Sequence, residues 1–163
     1  MIKTTPFEMV FIIRDPMNRN FAAAAAEAQV SGGGRYPRLR GRVLFIPDGR
    51  ETLIIADISG LPESRSGFFA LHIHEGNSCE GEGFSNTGNH YNPARTDHPR
   101  HAGDLPPLLS NGGNAYLAVA TDRFSVKEVI GKTVVIHSGT DDFRTQPAGA
   151  AGEKIACGVI KRL

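Results

Sequence analysis

The sequence has no tryptophan, only two cysteines, and no apolar run long enough to cross a bilayer as a helix. Its charge is nearly balanced, at a net +1, so the clustered basic face of a nucleic-acid binder is missing as well. Neither a membrane nor a nucleic acid is expected as a partner. Cys79 and Cys157 allow one bridge at most, which excludes a disulfide-dense scaffold. A bridge between them would close a long loop and contribute on the order of 4 kcal/mol, whereas two buried thiols agree equally well with the count alone. A secretory leader fits poorly. Lys3 precedes only Met9-Val10-Phe11-Ile12-Ile13 before Arg14-Asp15 intervenes, short of an apolar region of roughly 7–15 residues. The expected location is the cytoplasm.

What the chain does have is turn formers: Gly 19 and Pro 10 in 163 residues, a length that suits one domain with its own core. Residues 1–20 read as an N-terminal extension, with Phe7 to Ile13 as a candidate edge strand, and residues 21–163 as the domain. Strands are expected over Ala26 to Ser31, Leu39 to Ile46, Glu51 to Ile58, Gly67 to Glu75, Ala115 to Ala120, Lys132 to His137 and Lys154 to Ile160. No long helix is expected. Two long segments, Gly76 to Asn114 and Ser138 to Glu153, are too long for passive connections and are expected to carry function. The fold class is all-β: about eight short antiparallel strands in a sandwich or barrel, with two functional loops.

The six histidines all lie between residues 72 and 137, and five of them within 72–101. Each alone reads as a solvated loop residue or a satisfied core imidazole; the cluster reads as metal chemistry. The strand period of two puts Phe69, Leu71 and Ile73 on one face and His72 and His74 on the other, outside the core and beneath the long loops. His137 shares a face with Thr133 and Val135, opposite Val134 and Ile136. His90, His98, His101 and Asp104 follow at spacings of eight, three and three, a set of three imidazoles and a carboxylate that suits tetrahedral zinc. His72, His74 and His137 make a nitrogen-only set suited to copper. Two closed four-coordinate sites need eight donors from seven residues, so one imidazole must serve both metals. His90, between the groups in sequence, is the natural candidate.

His72-Ile73-His74-Glu75, Gly88-Asn89-His90-Tyr91-Asn92-Pro93, His101-Ala102-Gly103-Asp104-Leu105, Val135-Ile136-His137 and Ala156-Cys157-Gly158-Val159-Ile160 resemble, in order, segments of the copper–zinc superoxide dismutases. The resemblance covers about residues 22–163. It implies an eight-stranded Greek-key β-barrel, with copper on His72, His74, His90 and His137, and zinc on His90, His98, His101 and Asp104. It implies a disulfide between Cys79 and Cys157, and Asp141 as the carboxylate linking a copper histidine to a zinc histidine. The implied activity is dismutation of superoxide to oxygen and hydrogen peroxide by alternate reduction and reoxidation of copper. In it His90 carries a proton and Lys154 attracts the anion. Family members are commonly homodimers, although no interface is legible from patterning.

The sequence departs from the family pattern in three places. Lys154 stands where the family usually has arginine, so charge is kept and the rigid guanidinium fork is lost. The gap between His98 and His101 is short, and so is the loop from His137 to Lys154. No ligand position is lost. The competing readings are a catalytically weak copper- and zinc-binding module of the same fold, and a β-sandwich interaction domain with a structural zinc alone. The second leaves His72, His74 and His137 without a purpose.

Overall fold

The computed structural model describes residues 24–163. The expected extension over residues 1–20, with its candidate edge strand, lies outside them. Among the described residues nine strands form: β1 Ala26–Gly32, β2 Arg40–Asp48, β3 Glu51–Ser59, β4 Phe68–Phe69, β5 Leu71–His74, β6 Leu108–Leu109, β7 Asn114–Thr121, β8 Thr133–His137 and β9 Lys154–Arg162. Seven of them make one curled antiparallel sheet in the order β5-β8-β9-β1-β2-β3-β7, and β4 pairs with β6 in a separate ribbon. The chain passes from β3 to β5 at the opposite edge, returns to β7 beside β3, then crosses again to β8 beside β5. These three crossings make the half-barrel Greek-key-like, and the all-β antiparallel expectation holds.

Alternation explains the sheet. In β2, Val43 and Phe45 point inward while Arg42 and Leu44 do not, and in β3 Ile54, Ala56 and Ile58 point to the same core. Leu71, Ile73, Val134, Ile136, Ile155 and Ile160 fill it from the other half. Each fully buried Ile, Leu or Phe contributes about 2 kcal/mol of transfer free energy. Gly41 permits the close β2–β3 approach, because a β-carbon there would stand 2.2 Å from the Asp57 carbonyl oxygen.

Two details differ from the sequence-based expectation. Gly67 to Glu75 is not one strand but β4 and β5, separated at Ala70. There the Ala70 N–H donates to the Gly139 carbonyl and the Ala70 carbonyl accepts from His137, so loop and strand share the residue. A single helical turn, α1 Val126–Val129, also forms, closed by a capping box between Ser125 and Glu128. Both expected long loops are present, and they cover the faces of β5 and β8 that carry histidine.

Candidate metal centre

The half of β5 that alternation sets outside the apolar core is nevertheless closed to water. His72 is 0% and His74 2% exposed, because the two loops cover them. His90, His98, His101, Asp104, His137 and Asp141 are buried beside them, none more than 8% exposed. Six imidazoles therefore share one desolvated space, as the sequence predicted. Their surroundings are drier than an outward face of a strand suggests.

The side chains form two groups. One ligand atom from each of His72, His74, His90 and His137 lies within 4.8 Å of the others, and the same holds for His90, His98, His101 and Asp104. His90 belongs to both. Its Nδ1 lies 2.7 Å from Asp104 Oδ1 and 3.4 Å from His101 Nδ1, while its Nε2 is buried with no hydrogen-bond partner. The short His98–His101 spacing does not prevent assembly, since Asp104 Oδ2 stands 3.1 Å from His98 Nδ1 and 3.3 Å from His101 Nδ1.

Hydrogen bonds decide which ring nitrogens carry protons. Asp141 accepts from His72 Nε2 at 2.9 Å and from His98 Nε2 at 2.8 Å. An ionised carboxylate only accepts, so both protons lie on Nε2 and both Nδ1 lone pairs are free. Those two Nδ1 atoms are buried without a hydrogen-bond partner, His98 Nδ1 lying against the Asp104 carboxylate. His74 Nδ1 donates to the Gly88 carbonyl at 2.9 Å and His137 Nδ1 to the Gly152 carbonyl at 3.3 Å. Their Nε2 atoms then face each other at 3.2 Å as two acceptors, an arrangement that a cation between them would relieve. Orphaned buried nitrogens in one group, and three imidazoles with a carboxylate in the other, fit divalent metals that take nitrogen and oxygen donors.

The electrostatics keep the donors in their ligating forms. Burial drives His74 down to about 2 against the hydrogen bond to Gly88, and burial with the neighbouring His72 drives His137 to about 3. Burial also lowers His72, although Asp141 opposes it. For Asp141, burial pushes the carboxyl pKa upward, but hydrogen bonds from His72, the Phe143 N–H and His98 outweigh it and hold the group at about 2.

Several supporting residues had no signal in the sequence. Gln146 pairs with the His98 backbone in both directions, its amide oxygen accepting at 3.0 Å and its nitrogen donating at 2.7 Å. Arg123 Nη1 reaches the carbonyls of Pro99, His101 and Asp104 at 3.1–3.3 Å. Gly149, at φ 67°, leaves room for the Asp141 bridge, because a β-carbon there would come within 2.0 Å of Asp141 Oδ1. Thr87 and the Gly88 carbonyl bind the Lys154 ammonium at 2.7 and 3.0 Å. The Cys79–Cys157 disulfide forms and ties the first loop to β9.

Residues 39–160 match the family model for copper/zinc superoxide dismutase (SODC). A superoxide dismutase [Cu-Zn] of Aquifex aeolicus is 35% identical over 136 residues, covering 74% of this chain and 78% of that protein. The superoxide dismutase [Cu-Zn] of Legionella pneumophila is 33% identical, covering 78% of this chain and 82% of its own length. An extracellular superoxide dismutase [Cu-Zn] of Rattus norvegicus is 31% identical over 76% of this chain and 55% of that protein. With the family model spanning most of the chain, and two groups of side chains able to hold metal ions gathered where it matches, the chain belongs to the copper/zinc superoxide dismutase family.

Proposed function

We propose that the chain dismutates superoxide, two anions and two protons giving one oxygen and one hydrogen peroxide, with copper on His72, His74, His90 and His137 and zinc on His90, His98, His101 and Asp104. The observation that carries this assignment is His90, which belongs to both buried groups, with its Nδ1 beside Asp104 and its Nε2 buried without a hydrogen-bond partner. Bound copper would supply one-electron exchange with superoxide, and bound zinc would hold the far nitrogen of the shared imidazole. The protein's own part is to hold geometry and protons. Asp141 fixes the tautomers of His72 and His98, the Gly88 and Gly152 carbonyls fix those of His74 and His137, and the buried walls exclude bulk water. His90 Nε2, lacking any protein partner, is the nitrogen placed to take up and give back a proton. Lys154 supplies the positive charge that draws the anion in.

A module that merely binds metal gains no support from these groups, in which every donor position is filled. Residues 21–163 are taken as the dismutase domain. The expected cytoplasmic location carries over as a reading that fractionation of cells expressing the full chain tests, and the expected homodimer as one that sedimentation tests. The deciding experiment measures metal content and superoxide consumption on one reconstituted sample. About one copper and one zinc per chain with rapid consumption is expected. Uptake of zinc alone, or both metals without consumption, overturns the assignment.

A further inference from the structure

Replacing a guanidinium by an ammonium removes a rigid fork and substitutes a flexible stem with three equivalent donors. The structure compensates for that flexibility. Lys154 Nζ donates to Thr87 Oγ1 at 2.7 Å and to the Gly88 carbonyl at 3.0 Å, leaving one N–H uncommitted. The Thr87 hydroxyl has a single proton, which goes to the Phe84 carbonyl at 2.9 Å, so its lone pair is turned to the ammonium. Phe84 takes a left-handed conformation, at φ 59°, within the short 3-10 segment Glu82–Thr87. Thr87 itself is fully buried, and its carbonyl accepts from the Gly76 N–H. The Cys79–Cys157 bridge fastens this loop to the strand that carries Lys154. Across the sheet Lys154 is in register with His137. The Gly88 carbonyl that it touches also accepts from His74 Nδ1.

We propose that Thr87 is a positioning residue for the substrate anion: its buried hydroxyl, with the Gly88 carbonyl, fixes the Lys154 ammonium so that one remaining N–H meets a single oxygen or nitrogen of a small anion beside His74 and His137. This rests on the reading of the chain as a superoxide dismutase. Lysine supplies the charge and threonine the place. Attraction over distance depends on charge alone, whereas holding the anion at one point depends on the clamp. The two contributions are therefore separable by mutation.

The test uses copper- and zinc-loaded wild type, Thr87→Val, Thr87→Ser and Lys154→Gln. Azide binding is followed by visible absorption of the copper, kcat/KM is followed against ionic strength, and the Lys154 ammonium by nitrogen-detected NMR. In Thr87→Val, azide affinity is expected to fall about tenfold or more, the size of one lost hydrogen bond to a charged group. The ammonium signal should broaden while the salt dependence of kcat/KM is retained. Thr87→Ser should restore azide affinity, and Lys154→Gln should lose both affinity and salt dependence. Wild-type azide affinity with an unchanged ammonium signal in Thr87→Val overturns the proposal, as does a serine variant as weak as the valine one. If Thr87→Val does not fold, Thr87→Ala carries the same comparison. A wild-type protein that binds azide yet leaves superoxide untouched would overturn the functional reading alone, and the azide comparison would still decide the role of Thr87.

Discussion

With one carboxylate oxygen on the Nε2–H of His72 and the other on that of His98, Asp141 sets the tautomer of an imidazole in each group. In Asp141→Asn one of these acceptor oxygens becomes an NH2 donor, which cannot face an N–H, so one ring must move its proton to Nδ1. Copper or zinc retention is expected to fall about 10- to 100-fold, read by competition with a chelator, while the β-sheet circular dichroism is kept. Unchanged retention of both metals would show that the tautomers are set elsewhere. Residue types and strand parity made every candidate ligand legible beforehand, because metal donors are few in kind and β5 and β8 are regular. Thr87, Gln146 and Arg123 were not legible. Their roles come from single contacts between segments remote in sequence, and a threonine, glutamine or arginine in a loop usually faces solvent.

At the scale of elements, the first long loop is held at both ends of its task. The Glu75 N–H donates to the Asn89 carbonyl, and the Gly76 N–H to Thr87, close to the ligands. The disulfide fixes its Cys79 end to β9, across a separation of 78 residues. Replacing Cys79 and Cys157 by serine is expected to lower the stability of the folded chain by about 4 kcal/mol, from chain entropy alone. Guanidinium unfolding of both forms at matched metal content measures this. A midpoint that does not move would mean that the loop is pinned without the bridge. The division of Gly67 to Glu75 into β4 and β5 escaped the alternation pattern because the break at Ala70 is imposed by Gly139 and His137, partners from the far loop and β8. Apolar periodicity records which face a residue takes; it does not record which neighbour takes the hydrogen bond.

Over the whole molecule, the desolvated histidines tie stability to pH. His74 and His137 are held neutral down to about 2 and about 3, against an ordinary value of 6.5 in the unfolded chain. Below 6.5 the unfolded chain therefore binds more protons than the folded one, so metal-free protein should lose stability as pH falls from about 6.5 towards 3. The slope is up to about 1.4 kcal/mol per pH unit for each such imidazole. Urea unfolding of the metal-free protein between pH 7 and pH 4 (about the range below the histidine value) tests this, and a flat profile would contradict the burial described. The double bridge made by Asp141 carries a last consequence. Once an ion settles on either side, the shared carboxylate is already locked in the orientation its other oxygen needs, and much of the ordering that the vacant half would require has been done. Loading of the two halves should thus be mutually reinforcing, each ion raising the affinity for the other by the same factor, as thermodynamic reciprocity demands.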